Sequence, residues 1–415
     1  MGVVVQNKLS VQRILLCGGL IVTLSIGIRH GFGLWLLPIS QAHGWEREVF
    51  SFAIALQNLV WGVAGIFAGM LADRYGAFKV VVPGAICYAL GLLGMAYTTT
   101  PLMFILTAGV VLGVAQAATT YIIIFGIIGR HISAGQRSWA MGVASATGSF
   151  GQFMMLPLSN TLISQSGWQI ALVILALVSL MIIPLAYLLR ERIAWTPSEE
   201  GAASSFDSEQ SIGAAAKEAL TYRSYILLIL GYFVCGFQVV FIAVHLPGYI
   251  KDNGLGPEVA SLSLALIGLF NIFGSYLVGS LGQRFQKRYL LVGIYGLRGV
   301  IIVLFLMLPI SPLSVYLFSM AMGFLWLSTV PATNAIIAQI FGIRHLSMLG
   351  GIAFFSHQVG SFMGVWMGGA FYDRFGNYDL MWILSIILSV LAVLANWPIV
   401  ERAITRDRSP SLATN

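Results

Sequence analysis

Residues 69–76 read Gly69-Met70-Leu71-Ala72-Asp73-Arg74-Tyr75-Gly76, and residues 279–286 read Gly279-Ser280-Leu281-Gly282-Gln283-Arg284-Phe285-Gln286. The two octapeptides share the skeleton G-x-L-x-x-R-aromatic. Each follows the second long apolar run of its half of the chain. An echo at matching places marks an internal repeat. In apolar chains such repeats place a binding site near the bilayer midplane, between the two copies.

Outward from these copies the chain is a succession of apolar runs. Hydrophobic residues make up 58% of it and charged residues 9%, against roughly 25% charged in soluble domains. So few charges cannot cover a water-facing surface, so the solvent for most of the chain is lipid. A bilayer core of about 30 Å takes about 20 apolar residues per helix. Backbone groups in lipid must pair internally, so these runs are helices. The pattern predicts spans at 14–38, 49–71, 79–98, 101–128, 138–163 and 168–189, then at 224–250, 258–281, 289–309, 312–338, 348–371 and 380–399. The fold class is an all-α membrane protein of twelve transmembrane helices in two pseudo-symmetric six-helix bundles. The expected units are bundles at 1–190 and 224–401, a linker at 191–223 and a tail at 402–415. Glu199, Glu200, Asp207 and Glu209 stand among Ser, Gly and Ala in that linker, which reads as a flexible cytoplasmic connection. The first span is too long for a cleaved signal peptide, and no A-x-A-like site follows it.

With the N-terminus inside, nearly every Lys and Arg falls on the cytoplasmic side. Only Arg47, Lys251 and Arg374 fall on the other, and Arg29 and Arg298 lie within spans. The positive-inside rule then puts both termini in the cytoplasm of a multi-pass protein of the plasma (inner) membrane. The net charge of +7 reflects this topology, and no nucleic-acid partner is expected. Cys17, Cys87 and Cys235 all fall in apolar runs without metal-like spacing. No disulfide framework, metal or cofactor is expected.

The stretch Gly69 to Lys79 resembles the loop motif between helices 2 and 3 of the major facilitator superfamily. The resemblance implies a cytoplasmic charge network that steadies one conformation, built on Gly69, Asp73, Arg74 and Gly76. The second copy has Gln283 in place of the acid, which implies a weaker network around Arg284. Within the superfamily the chain is similar to the branch of oxalate:formate antiporters and monocarboxylate transporters. One stretch that carries this is Arg137-Ser138-Trp139-Ala140-Met141-Gly142, running on to Gly148, Gly151 and Pro157. A second is Pro331-Ala332-Thr333-Asn334 with Ile340-Phe341-Gly342. A third is the eleventh span, where His357 stands at the place of a substrate-facing lysine. The eighth span departs from the branch. Asn271 and Ser275 stand where monocarboxylate carriers have an Asp and an anion-binding Arg.

The ionisable residues deep in the spans are Arg29, His30, Arg298 and His357, with no Asp or Glu beside them. Such groups are costly in lipid and usually face a cavity. Cations without an internal counter-ion point to an anionic substrate whose carboxylate supplies the countercharge, held by Arg in bidentate fashion. Each residue also has a structural reading. Arg29 can pair with helix-end carbonyls, and Arg298 can brace the C-terminal bundle. His357 can be a hydrogen-bonded histidine between helices. His30 points about 100° away from Arg29 around the helix and can simply pack. Among uncharged candidates, Gln57, Asn58, Gln116, Tyr121, Gln152, Gln238, Asn271, Asn334 and Gln358 can bind substrate or bridge helices. Trp35 and Trp326 can wall a cavity. Glycines spaced as GxxxG, at 65 and 69, 109 and 113, and 360, 364 and 368, allow close helix contact.

Together these features point to alternating-access transport of a small organic anion, a mono- or dicarboxylate, by a monomer in the bilayer. A proton, through His357, or a counter-anion can be coupled to it. Efflux of drugs is the alternative on the same fold. No HExxH or GxSxG motif points to an enzyme, and the short tail leaves no room for a sensor domain.

Overall fold

A computed structural model describes the backbone of residues 2–5, 9–191, 193–196, 212–282, 284–342 and 346–404. The first six helices are α1 Val11–His43, α2 Arg47–Tyr75, α3 Phe78–Tyr97, α4 Pro101–His131, α5 at 134–166 and α6 at 168–188. The second six are α7 Arg223–Asp252, α8 Pro257–Leu281, α9 Lys287–Met307, α10 Pro312–Phe341, α11 Leu346–Phe375 and α12 Asp379–Asn396.

Among the described residues, ten stretches are long and apolar enough to cross a membrane. One of them, Ala140–Leu188, is 49 residues long and breaks at Gly167 (φ 80°, ψ 159°), so it makes two crossings. α11 makes the remaining one. Ser356, His357, Gln358 and Ser361 dilute its apolar run, as expected of a helix that faces the protein interior. The twelve crossings agree with the expected fold.

The repeat is visible in local structure as well. Thr100 caps α4 and Ser311 caps α10, each followed by a proline at the first helical position. There the missing N–H costs nothing. Both helices break near their middle, α4 at Thr120 and α10 at Trp326–Ser328. The turns α1–α2 and α7–α8 both use a left-handed glycine, Gly44 and Gly254, and the turns α5–α6 and α11–α12 use Gly167 and Gly376.

Glycine also sets how closely helices pack. A Cβ on Gly360 or Gly364 of α11 would overlap the carbonyl oxygen of Phe233 or Phe237 on α7. Only glycine permits that approach.

The connection between the bundles holds more structure than its composition implied. Ile193–Thr196 pairs antiparallel with Gly2–Val5. Ile212–Thr221 is helical, as its Ala, Lys and Glu content favours, and Ala215 and Ala219 are buried. Glu199, Glu200, Asp207 and Glu209 lie outside the described residues.

Candidate functional site

Arg29 lies in the last helical turn of α1 before a 3-10 segment at Gly31–Trp35. Its Nε donates to Gln116 Oε1 of α4 at 3.2 Å, and its Nη2 donates to Asn58 Oδ1 of α2. The guanidinium stands 4.7 Å from the centre of the Trp61 ring. These partners are themselves fixed. Gln116 Nε2 donates to Gln57 Oε1 at 3.2 Å, Gln57 Nε2 to the Ala108 carbonyl at 2.7 Å, and Asn58 Nδ2 to the Ile54 carbonyl at 2.8 Å. Every partner is uncharged, and among the described residues no carboxylate pairs with Arg29. Arg29, His30, Phe32 and Gln57 line a small cavity closed on the other side by Val240 and Val244 of α7. The cavity therefore lies on the seam between the bundles. His30 turns its Nδ1 to its own helix, 2.8 Å from the Ile26 carbonyl oxygen.

Arg298 is fully buried and serves the broken helix. Its Nη2 donates to the carbonyls of Leu325, at 2.7 Å, and Trp326, both at the break in α10. Nη1 reaches Gln238 Oε1 at 3.4 Å, and Gln238 Nε2 donates to Ser389 Oγ of α12 at 2.7 Å. Both side chains thus sit inside the C-terminal bundle. Asn271 Oδ1 accepts from the Leu327 N–H at 3.0 Å, satisfying the same break, while its Nδ2 donates to Ser149 Oγ of α5 at 3.1 Å. Asn334 is exposed and donates to its own helix at Val330. Tyr121 donates to the Ser145 carbonyl at 3.4 Å, between α4 and α5.

His357 and Gln358 sit on the seam. Gln358 Nε2 donates across it to the Asn58 carbonyl at 3.0 Å, and its Oε1 lies 3.2 Å from His357 Nδ1. Phe354 stacks on His357 and meets Trp61 edge-on, at ring separations of 5.9 Å and 5.7 Å. Gln152 makes another crossing bond, to the Leu264 carbonyl at 3.1 Å. Trp35 is buried and bonds to the Trp168 carbonyl, while Trp326 is fully buried at the α10 break.

At the end away from the termini the bundles are closed by Arg47, counted above only as a loop charge, and by residues the sequence did not single out. Arg47 makes a bidentate pair with Asp252 of α7 at 2.7 and 2.8 Å, and its guanidinium stacks on Tyr372 at 3.5 Å. The first turn of α2 has no cap of its own from Glu46. Instead Asp373 of α11 accepts from the N–H groups of Arg47 and Glu48 at 3.0 and 2.6 Å, capping a helix of the other bundle. Opening this end must uncap α2. Loss of a cap costs about 1 kcal/mol, roughly fivefold in a two-state equilibrium. Asp373→Ala should shift the molecule by about that factor toward the state open at this end. A Gln41→Cys/Lys251→Cys pair, at positions whose side-chain ends lie 3.4 Å apart, would report it as slower cross-linking by a short bis-maleimide. An unchanged rate would reject the latch.

On the terminus side, Gly76 ends α2 with φ 89° and Gly69 packs under Ile122 of α4. The side chains of Asp73 and Arg74 lie outside the described residues, and Arg284 is exposed. Beside this loop stands Glu191, which the sequence reading left in the linker. Its Oε1 accepts from Arg130 Nη2 at 2.6 Å and from the Ala77 N–H at 3.1 Å, and its Oε2 from His131 Nε2 at 2.9 Å. His131 Nδ1 in turn accepts from the Leu9 N–H at 3.1 Å, so the imidazole is the Nε2–H tautomer. Burial alone would raise the Glu191 carboxyl. The hydrogen bonds from His131 and Arg130, the Arg130 charge and the Ala77 N–H outweigh it and hold the group at about 2. One clue was legible: an acid directly after α6, with the Arg130-His131 pair at the equivalent end of α4.

Two six-helix bundles with a polar seam define a membrane transporter. The family model for the Major Facilitator Superfamily matches residues 15–365 and, in a second match, 228–413, and the chain belongs to that superfamily. It is 24% identical over 395 residues to the uncharacterized MFS-type transporter YcxA of Bacillus subtilis (strain 168), covering 92% of this chain and 94% of that protein. It is also 24% identical over 383 residues to monocarboxylate transporter 13 of Bos taurus, covering 90% and 86%. In fold it resembles an inward-facing bacterial homolog of the human lysosomal transporter Spinster, with TM-score 0.73 and 14% identity over 97% of this chain and 99% of that one. It also resembles a D-xylose-proton symporter, with TM-score 0.68 and 14% identity over 93% and 96%.

Proposed function

We propose that this transporter moves a small organic anion, a mono- or dicarboxylate, by rocking the bundles 1–190 and 224–401 about the Arg29 seat. The observation that carries the reading is a guanidinium on the seam whose partners are all neutral amides and an indole. A carboxylate arriving there gains charge-assisted bonds and, among the described residues, faces no internal rival of its own charge. Names among the relatives support the same class. The proposal includes a monomer in the plasma (inner) membrane with cytoplasmic termini, as the placement of Lys and Arg favours.

The test is the melting temperature of purified protein against oxalate, formate, lactate, pyruvate, benzoate, sugars and cationic drugs. A ligand that binds only the folded state raises the midpoint. A carboxylate should do so in the wild type. Arg29→Ala should lose the shift, because a hydrogen bond to a charged group is worth about 1.5–3 kcal/mol, or roughly ten- to a hundredfold in affinity. Stabilisation by cationic drugs alone would replace this reading with drug efflux.

A further inference from the structure

Arg298 is buried in the C-terminal bundle, and among the described residues no carboxylate reaches it. A buried guanidinium without countercharge is strongly unfavourable, and carbonyl dipoles offset only part of that. The nearest group able to become an anion is the thiol of Cys235 on α7. Arg298 Nη2 reaches its sulfur at 3.6 Å, and the Thr329 hydroxyl of α10 lies 3.2 Å from it. From α11, the His357 carbonyl packs against Gly236, the residue after Cys235, and its ring lies against that of Tyr232, one turn earlier on α7. The two other titratable neighbours are Tyr232 of α7, whose ring lies 4.9 Å from that of His357, and Tyr295 of α9, under the Arg298 guanidinium at 5.6 Å.

The protonation of His357 follows from its surroundings. Gln358 Nε2 donates to the Asn58 carbonyl, which fixes the amide so that Oε1 faces His357 Nδ1. Nδ1 therefore carries the hydrogen, and in the neutral ring Nε2 is a bare acceptor. That Nε2 is buried and makes no hydrogen bond of sound geometry. A buried acceptor without a donor thus packs against the turn of α7 that carries a thiol with a proton to give.

We propose that Cys235 and His357 form a one-proton site beside Arg298, in place of the intramembrane carboxylate that the described spans lack. Without the proton, Cys235 is a thiolate paired with Arg298 and His357 is neutral, so the trio carries no net charge. With it, the proton sits on sulfur or on His357 Nε2, and the trio carries a single positive charge. The site connects to the seam through His357, Gln358 and Asn58, and Asn58 holds Arg29. A substrate anion at Arg29 then attracts the proton electrostatically, and the two would travel together. That use in transport rests on the organic-anion reading above; the proton site itself does not.

The test uses full-length protein with Cys17→Ser and Cys87→Ser, so that Cys235 is the single thiol, and the same protein with Cys235→Ser as blank. Their difference in far-ultraviolet absorbance isolates the thiolate. The expected result is thiolate absorbance at neutral pH that disappears on acidification. His357→Gln, which should fold because it keeps a polar side chain of similar size, should move that midpoint by about one pH unit or more. Thiolate signal only near the about 8.5 of an ordinary thiol, or a midpoint indifferent to His357→Gln, would overturn the site. In proteoliposomes placed in labelled lactate, an imposed inward proton gradient should drive uptake by the wild type. Cys235→Ser should lose that drive while keeping lactate exchange. Uptake by Cys235→Ser that still follows the gradient would also overturn it. Absence of lactate exchange in the wild type, with the titration as expected, would count against the carboxylate reading and leave the proton site standing.

Discussion

Glu191→Gln should lower the stability of the protein by on the order of 3 kcal/mol, the loss that follows when one member of a buried ion pair is removed. The side chain is 0% exposed and Arg130 opposite it 13%, so solvent cannot take over its role. The carboxylate joins four parts of the chain: the entry to α1 through His131, the α2–α3 loop at Ala77, the end of α4 at Arg130 and the exit from α6. Glutamine keeps the shape and loses the charge, so the charge-assisted bonds from Arg130 become ordinary ones and His131 has a weaker acceptor. The check is thermal unfolding of the two proteins in the same detergent. The pH dependence gives a second reading of the same group. Its folded value of about 2 lies below the ordinary 4.5, so the carboxylate stabilises fully above about pH 4.5. That contribution fades as the pH falls from there toward about 2. The difference between wild type and Glu191→Gln should shrink over that window. Equal melting points at neutral pH would mean that the cluster contributes nothing to holding these four segments together.

Why does Glu191 escape a reading of the sequence while Arg29 stands out? Arg29 is conspicuous because lipid makes any charge within an apolar run unusual, and one residue suffices to raise the question. Glu191 lies two residues past the end of the expected span at 168–189, where acids are ordinary, and its burial depends on four segments meeting in space. The same contrast separates fold from site. Span number and the repeat follow from period and composition, which are local properties, and the left-handed glycines at 44 and 254 and at 167 and 376 repeat that information. The break in α10 was not legible. Leu325-Trp326-Leu327-Ser328 has no proline or glycine, and what holds it open is Arg298 from α9 and Asn271 from α8. For the same reason the sequence left Arg298 between brace and substrate contact. The choice depends on a carbonyl that only a broken helix exposes. Asp373 was hidden in another way, since a carboxylate at the end of α11 gives no sign that it caps α2.

Asn58→Asp should abolish binding of an organic anion at Arg29 while leaving the fold intact. In the wild type Asn58 Oδ1 and Gln116 Oε1 occupy the guanidinium, much as the oxygens of an incoming carboxylate would. A substrate displaces neutral amide oxygens, and the displaced groups lose only ordinary hydrogen bonds. An aspartate side chain in place of Asn58 has nearly the same shape and carries the charge itself. The substrate would then have to break a charge-assisted bond worth about 1.5–3 kcal/mol and enter a cavity already holding a negative charge. A loss of about a hundredfold or more in affinity follows, at 1.4 kcal/mol for each factor of ten. Asn58→Ala removes the occupant without adding charge. It should therefore keep binding within about tenfold, the range left by losing one such bond and the competition with it. A purely structural Arg29 predicts the opposite order. The ion pair between Arg29 and the introduced carboxylate would raise the melting temperature, Asn58→Ala would lower it, and carboxylate binding elsewhere would be unchanged in both. Melting curves of the three proteins, with and without the carboxylate that stabilises the wild type, separate the two cases in one experiment. Retained ligand shift in Asn58→Asp would remove Arg29 from the substrate site.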